Sequence, residues 1–256
     1  MPRIRLTVAY IGTRYSGWQI QEKPHPPLTI QGELERVVRL VVGDLVRVHG
    51  SGRTDAGVHA DAQIAHMDIP ENTGPALPEG WLRIFNTNLP DDISVLKAEA
   101  AAPEFHSRFD AVGKAYTYQL WTRRFDTPPR LHPFVWPCGP LDLGALDAAL
   151  PYLTGCHDFA SLQNAGTDIK TTVRTVHRLY RAPEEQLCPD SANVALRIEA
   201  SGFLKQMVRN ITGVLVAIGR GRLQPEDIPR ILATRKRSHA PITAPAKGLT
   251  LREVFY

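Results

Sequence analysis

The spacing of apolar residues changes repeatedly along the first hundred positions. Apolar and polar residues alternate over positions 3–10, which predicts a half-buried strand. Positions 29–42 instead place apolar residues at helical spacing, with Thr29 as the N-cap of a helix. A strand, a strand, a helix and a strand follow, predicted at 44–49, 62–68, 78–88 and 93–99. This order is that of a ferredoxin-like unit.

A similar order of elements begins again after position 109. The pattern predicts a strand, a helix, two strands, a long helix, a short helix and a last strand, at 114–122, 143–153, 171–180, 193–201, 204–218, 228–234 and 249–256. Gly219 follows the long helix as its expected C-cap. Because the topology repeats, we predict an α+β fold of two ferredoxin-like halves, residues 1–105 and 106–256, whose antiparallel or mixed sheets are joined around a central cleft.

Composition and charge narrow the classes of function. With 43% hydrophobic and 22% charged residues, the chain is typical of a globular protein. Its apolar runs are shorter than a membrane span and its N-terminus does not resemble a signal peptide, so we expect a cytoplasmic protein with no membrane partner. The three cysteines match neither a zinc spacing nor a disulfide framework, and we expect them to be free thiols.

The segment GSGRTDAGVHA at positions 50–60 is the strongest candidate for chemistry. It lacks the Lys-Ser/Thr ending of a phosphate-binding P-loop. Its glycines permit a tight turn that exposes Arg53 and Asp55, which is compatible with a structural turn or with a functional loop. His59, Asp61 and His66 are possible metal ligands, but their spacing argues against one coordination shell.

Basic residues form three groups in the second half of the chain. These groups are Arg123, Arg124 and Arg130 around Phe125, then Arg220 and Arg222, and then Arg235, Lys236, Arg237 and His239. A net charge of +4 does not by itself indicate a polyanionic partner. Any one group is explained most simply as solvated charge, but three groups together favour contact with nucleic acid.

Nine consecutive residues, GRTDAGVHA at positions 52–60, resemble the catalytic motif of the tRNA pseudouridine synthase A family. The resemblance extends through both halves of the chain. Its further segments are GTRYSGWQ at 12–19, TIQ at 29–31, NLP at 88–90, FHSRF at 105–109, KAYTY at 114–118, HDF at 157–159, FLKQMVR at 203–209 and APAKGL at 244–249.

This resemblance implies a pseudouridine synthase fold and an isomerase that converts uridine to pseudouridine at positions 38, 39 and 40 of the tRNA anticodon stem-loop. It implies a homodimer that needs no cofactor and no metal. By the resemblance, Asp55 is the nucleophile and Arg209 pairs with it. Tyr116 stacks on the uracil and helps to remove a proton, and Arg53 assists base flipping. Tyr116, Arg53 and Leu249 are the implied substrate-binding residues.

Two positions depart from the family pattern. Ile11 and Ser107 stand where the family commonly has aspartate and alanine, and neither is one of the implied site residues.

Two other functions remain open at this point. A non-catalytic tRNA-binding module would also use basic patches on this fold. A glycosidase that releases uracil would use similar carboxylate chemistry on the same bond.

Overall fold

The computed structural model describes residues 2–166 and 169–256, and its fold is α+β. The chain divides into two compact units. The first comprises Met1–Val112 and Leu251–Tyr256, and the second comprises Gly113–Thr250. The boundary expected between residues 105 and 106 would have assigned the last six residues to the second half. Within the described residues, no helix is long and apolar enough to cross a membrane.

Ten strands and five α-helices make up the regular structure of the described chain. The strands are β1 Arg3–Tyr10, β2 His49–Gly50, β3 His59–Asp68, β4 Ile93–Ala101, β5 Gly113–Trp121, β6 Trp136–Pro137, β7 Gly155–Asp158, β8 Val173–Arg181, β9 Asn193–Ala200 and β10 Leu249–Phe255. The helices are α1 Ile30–Val42, α2 Pro78–Asn88, α3 Leu143–Ala149, α4 Met207–Gly219 and α5 Asp227–Thr234.

In the first unit, β1 lies between β3 and β4 and is antiparallel to both. The short strand β2 pairs with β3, and β10 lies along the other side of β3. Alternate residues of β1 are buried, as the sequence predicts. The side chain of Thr29 accepts a hydrogen bond from the N–H of Gly32, which confirms the predicted N-cap of α1. Trp81 and Phe85 bury one face of α2, which packs beside β4.

The predicted strand at 44–49 is wrong, because only its last residue belongs to β2. The main chain of Val48 is hydrogen-bonded to side chains of α1 instead of to a neighbouring strand. Its N–H donates to Oε1 of Glu35 (3.0 Å), and Nε2 of Gln31 donates to its carbonyl (3.1 Å). Burial raises the pKa of Glu35, and the hydrogen bond from Val48 opposes that shift.

The second unit contains the sheet β5-β9-β8-β7, in which each neighbouring pair is antiparallel. The two-residue strand β6, which pairs parallel with β5, was not predicted, and neither was β7. The predicted helix at 143–153 stops at Ala149, and a 3₁₀ turn that contains Pro151 continues from Leu150. All three cysteines are free, as expected.

Both ends of α4 differ from the prediction. The helix begins at Met207 and not at 204, because Gln206 has a left-handed conformation (φ 60°) that is incompatible with a helix. Its C-cap is not Gly219. The left-handed glycine is Gly221 (φ 69°), whose N–H donates to the carbonyl of Ile218 (2.8 Å) while the N–H of Arg222 donates to Ala217 (2.9 Å). These two bonds form a Schellman motif.

A cluster of three imidazoles lies in the first unit. The His66 ring is buried, and its centre lies 5.0 Å from that of His49 and 4.7 Å from that of His106. Its Nδ1 accepts the N–H of Ser107 (3.2 Å), whose hydroxyl donates to the carbonyl of His49 (2.7 Å). Burial lowers the pKa of His66 to about 4, and the neighbouring positive charges add to the shift.

This cluster predicts an acid-sensitive first unit. Because the pKa of His66 is lower in the folded state than in the unfolded chain, the unfolded chain binds the proton more readily below pH 6.5. The free energy of unfolding should fall by roughly 1 to 3 kcal/mol as the pH decreases from about 6.5 to about 4. Urea titrations across this range should show a shallower fall for His66→Asn. The control His25→Asn, at an exposed position, should follow the wild type. Equal curves for all three proteins would contradict this interpretation.

Candidate active site

The loop between β2 and β3 is anchored to β3 at its first residues. The N–H of Ser51 donates to the carbonyl of Ile64 (2.7 Å), and the Ser51 hydroxyl donates to Oε1 of Gln63 (2.6 Å). The amide of Gln63 donates in turn to the carbonyl of Gly52 (3.0 Å). Ser51 and Gln63 are fully buried, so these polar contacts are protected from water. The loop therefore has a fixed path at its start.

The segment 12–18 holds the middle of the same loop. The N–H of Trp18 donates to the carbonyl of Thr54 (3.1 Å), and the N–H of Gly57 donates to the carbonyl of Tyr15 (3.3 Å). The hydroxyl groups of Tyr10 and Thr54 are 2.9 Å apart, and burial raises the pKa of Tyr10. The segments at residues 12–18 and 52–60, which lie about forty residues apart in the sequence, are thus held together by hydrogen bonds in the fold.

Two glycines permit this contact between main chains. A Cβ atom on Gly12 would lie 2.0 Å from the carbonyl oxygen of Val58. At Gly17 (φ 93°), it would lie 2.5 Å from the carbonyl oxygen of Thr54. The N–H of Gly12 also donates to Nδ1 of His59 (3.1 Å), so this imidazole positions the loop. Any side chain at these two glycines would force the segments apart.

Asp92 anchors the segment 12–18 from the other side. The aspartate accepts hydrogen bonds from the Tyr15 hydroxyl (2.6 Å) and from Nε of Arg14 (2.7 Å). Burial of Asp92 opposes its ionisation, but the hydrogen bonds from Arg14 and Tyr15 hold the pKa of the carboxyl below its usual value. Burial, together with Asp92, raises the pKa of Tyr15 to about 12. Asp92 lies in a Pro-Asp-Asp segment directly before β4, a local pattern that indicates only a turn, so this role was not predicted from the sequence.

The anchored loop presents two charged side chains. Arg53 is exposed and Asp55 is half-buried. The main-chain carbonyl of Asp55 accepts the N–H of Val58 (3.1 Å), which closes a tight turn around the aspartate. The segment is therefore a fixed turn that displays an arginine and a carboxylate two residues apart.

The other implied site residues lie in the second unit. Tyr116 is on β5, and its ring packs edge-to-face against Phe203 at a centroid distance of 5.1 Å. Tyr118 is two residues further along the strand and is completely buried. Its hydroxyl donates to the carbonyl of Pro245 (2.7 Å), and its ring covers Gly248 so closely that a Cβ there would lie 2.6 Å away. Tyr118 is therefore a packing residue.

Arg209 lies in the first turn of α4 and is half-buried. Its Nε donates to the carbonyl of Ala244 (2.7 Å), and the N–H of Ala244 donates to the main-chain carbonyl of Arg209 (3.1 Å). One turn later, a Cβ on Gly213 would lie 2.0 Å from the carbonyl oxygen of Ile242. Leu249, at the start of β10, is buried. The guanidinium of Arg209 thus has a defined orientation.

The chain is similar in sequence to known proteins over its whole length. A sequence model described as tRNA pseudouridine synthase matches residues 6–110 and 149–256. The chain belongs to the tRNA pseudouridine synthase family. It is 53% identical to tRNA pseudouridine synthase A of Nitratidesulfovibrio vulgaris (strain Miyazaki F) over the whole of both chains. It is 50% identical to that of Lawsonia intracellularis over the whole of both chains, and 42% identical to that of Geobacillus kaustophilus over 99% of this chain and 94% of the relative.

The family match covers most of the implied site. Arg53, Asp55, Arg209 and Leu249 lie in the matched ranges, whereas Tyr116 lies between them. The full-length relatives cover all five positions.

In the basic group of residues 235–239, Arg237 makes structural contacts. Arg237 donates to Oδ1 of Asn210 (3.0 Å) and to Oδ1 of Asn164 (2.8 Å), and Arg235 forms an ion pair with Asp158 (2.9 Å). The sequence favoured a nucleic-acid contact for the three basic groups together, with solvated charge as the simplest explanation of any one group. The structure shows that the buried amide of Asn210 uses the Arg237 guanidinium as a donor. The run is therefore not simply a solvated patch.

Gly12→Ala should destabilise the first unit. The added methyl group would overlap the Val58 carbonyl, and we expect a loss of about 2 kcal/mol or more in the free energy of unfolding. Gly202→Ala is the matched control, since its nearest neighbour would be Nε of Arg174 at an ordinary 3.7 Å, and it should change stability by about 0.5 kcal/mol at most. Urea denaturation measures both variants. A Gly12→Ala protein as stable as the control would show that the two segments are not held in contact.

Proposed function

We propose that this protein isomerises uridine to pseudouridine in tRNA, at positions 38, 39 and 40 of the anticodon stem-loop. The observation that carries the proposal is the loop of residues 50–59, in which a fixed main chain presents Asp55 and Arg53. Relatives at about 50% identity over the full chain are named tRNA pseudouridine synthase A. A binding module without catalysis gives no reason for a half-buried carboxylate in a turn anchored on both sides.

The reaction requires no net oxidation and no group donor. The bond from the ribose carbon C1′ to uracil N1 breaks, the base turns, and a bond from C1′ to C5 forms. The C5 proton leaves and N1 gains a proton, so the atoms balance. An ionised carboxylate can act as the nucleophile that carries the intermediate. We assign this role to Asp55.

Arg209 is the proposed partner of the Asp55 carboxylate. A guanidinium favours the ionised form of a carboxyl group and can bind both of its oxygens at once. The hydrogen bond from Nε of Arg209 to the Ala244 carbonyl supports the assignment, because it fixes the orientation of the guanidinium within its own unit. Lysine at this position would lack the fork geometry.

Tyr116, Arg53 and Leu249 are assigned to the substrate. A stem uridine must leave the base stack before reaction, and this costs a few kcal/mol. The exposed Arg53 side chain is suited to occupy the space that the base vacates. The Tyr116 ring, held by Phe203, can stack on the uracil, and its hydroxyl can accept the C5 proton with help from water. Leu249 contributes an apolar contact.

We also propose that the protein acts as a homodimer in the cytoplasm. Light scattering on the purified full-length chain should give about twice the monomer mass of 28.4 kDa. A monomeric mass at working concentrations would reject the dimer without affecting the catalytic assignment.

Asp55→Ala should abolish catalysis and leave tRNA binding largely intact. Wild-type protein should release tritium from tRNA labelled at uracil C5, and the variant should release none, because the nucleophile is absent. Binding to the same tRNA should be measured in parallel. Equal loss of binding and activity would mean that Asp55 maintains the fold and does not act in the reaction. Free uracil in the wild-type reaction would indicate a glycosidase, and no release by folded wild-type protein would indicate a binding module.

Tyr116→Phe and Tyr118→Phe form a matched pair on one strand. Tyr116→Phe keeps the stacking ring but loses the hydroxyl, so kcat should fall by roughly 10²- to 10⁴-fold with KM little changed. Tyr118→Phe loses only the bond to Pro245 and should cost about 1 kcal/mol of stability without changing kcat. Steady-state kinetics and thermal denaturation distinguish the two. Similar kcat values for both variants would remove the catalytic role of the Tyr116 hydroxyl.

A further inference from the structure

Three arginines line a groove in the second unit, outside the loop of residues 50–59. Arg124, Arg220 and Arg222 lie around a cavity of about 560 Å³, together with Cys138, Pro140, Leu141, Asp142 and Gly219. Arg220 and Arg222 also line a second cavity of about 350 Å³, which extends past Trp136 to His239. The two cavities share these arginine side chains, so together they form one positively lined groove. We call it the arginine groove.

Contacts within the second unit fix Arg220 and the main chain at Arg222. The guanidinium of Arg220 donates to the carbonyl of Cys138 and lies 5.8 Å from the centre of the Trp136 ring. The main chain at Arg222 is fixed by the Schellman motif that ends α4. The stem of Arg124 lies against Gly139, where a Cβ would be 3.2 Å from Cγ of the arginine. The guanidinium of Arg220 is therefore held in place, whereas the side chains of Arg124 and Arg222 are exposed.

The positive charges of the groove are not balanced by ion pairs among the described residues. Across residues 2–166 and 169–256, no carboxylate forms an ion pair with Arg124, Arg220 or Arg222. The only acidic residue in the lining is Asp142, and its Oδ1 accepts the N–H of Ala145 as the N-cap of α3. Three arginines and one aspartate give the lining of the larger cavity a net charge of +2.

Arg123, which precedes Arg124 in the sequence, is paired with carboxylates, unlike the arginines of the groove. It forms ion pairs with Asp126 (3.0 Å) and Asp190, and its guanidinium lies 5.1 Å from the centre of the Trp121 ring. Two adjacent arginines in the sequence thus have different environments, one paired with acids and the other open to a ligand. The negative C-terminal end of the α4 dipole attracts a positive charge, which explains an arginine at position 220. It does not explain Arg124, which lies in the loop after β5.

An exposed aromatic residue that follows Arg124 in the sequence indicates the class of ligand. Phe125 follows Arg124 and is 95% exposed, the largest exposed fraction among the large hydrophobic side chains in the described chain. Arginines that face phosphates beside an aromatic ring that can stack on an unpaired base are typical of RNA-binding surfaces. A site for a small free anion would gain nothing from such a ring.

We propose that the arginine groove binds the phosphate backbone of tRNA and that Phe125 stacks on an unpaired base next to it. This inference rests on the proposed function, since it assigns a second contact to the same substrate. The groove then contributes affinity and position, whereas the reaction depends on the loop of residues 50–59. Its loss should therefore affect tRNA binding and KM much more than kcat.

The test is the double variant Arg124→Ala/Arg222→Ala in the full-length protein. Neither side chain donates a hydrogen bond within the described chain, so the fold should be retained, which thermal denaturation checks. The dissociation constant for tRNA is measured over a series of KCl concentrations. We expect binding about tenfold weaker at low salt and a salt slope smaller by about 2, because each phosphate contact contributes about 0.9 to the slope. Phe125→Ala should weaken binding without changing the salt slope.

The matched control is Arg178→Ala/Arg230→Ala, which removes two exposed arginines of the same unit that are ion-paired with Glu199 and Asp227. This variant should keep the wild-type slope. Equal slopes for both double variants would overturn the proposal. Inorganic phosphate that binds wild-type protein at the groove while the tRNA slope stays unchanged would also overturn it and indicate a small-anion site. Binding is measured without turnover, so this test does not depend on catalysis. A wild-type protein that binds tRNA but does not modify it would reject the proposed function, and the salt slopes would still test the groove.

Discussion

The structure of the candidate site depends on direct contact between two main-chain segments, residues 12–18 and the loop of residues 50–59. Gly12 and Gly17 allow carbonyl groups of the loop to approach where a side chain would otherwise lie. Hydrogen bonds from Trp18 and Gly57 then hold the two segments in register. A carboxylate on a free loop would sample many positions, whereas Asp55 projects from a turn with a fixed main chain. The buried hydroxyls of Tyr10 and Thr54 and the half-buried anchor at Asp92 complete this support.

In the second unit, a glycine again permits close contact between two main-chain segments. Gly213 of α4 allows the Ile242 carbonyl to approach as closely as Gly12 allows the Val58 carbonyl, since a Cβ added to either glycine would lie 2.0 Å from the oxygen. The contact fixes the segment whose Ala244 carbonyl orients Arg209. Each unit therefore holds its candidate functional side chain on a rigid main chain, and glycine is required because the contact is between backbones.

The arginines of this protein differ in how many hydrogen-bond acceptors surround the side chain. Arg14 and Arg237 donate to an aspartate or to asparagine side chains and stabilise loops. Arg53, Arg124 and Arg222 are exposed and suited to contact a polyanion. A guanidinium has five donors in a fixed fork, so a few well-placed acceptors are enough to make it structural. The net charge of +4 does not distinguish arginines that stabilise loops from arginines that are suited to contact a polyanion.

Local sequence was enough to predict the strongly periodic strands and helices, the cap at Thr29 and the motif at residues 52–60, because these depend on neighbours a few residues away. The family followed from the same motif. Three features became visible only in the folded protein. Residues 44–48 form no strand, α4 ends in a Schellman motif at Gly221, and Arg123 forms ion pairs that Arg124 lacks among the described residues. These outcomes depend on which distant donor meets which acceptor, such as Glu35 with Val48 or Asp190 with Arg123. Local periodicity reports only which side of an element is buried, so it cannot contain that information.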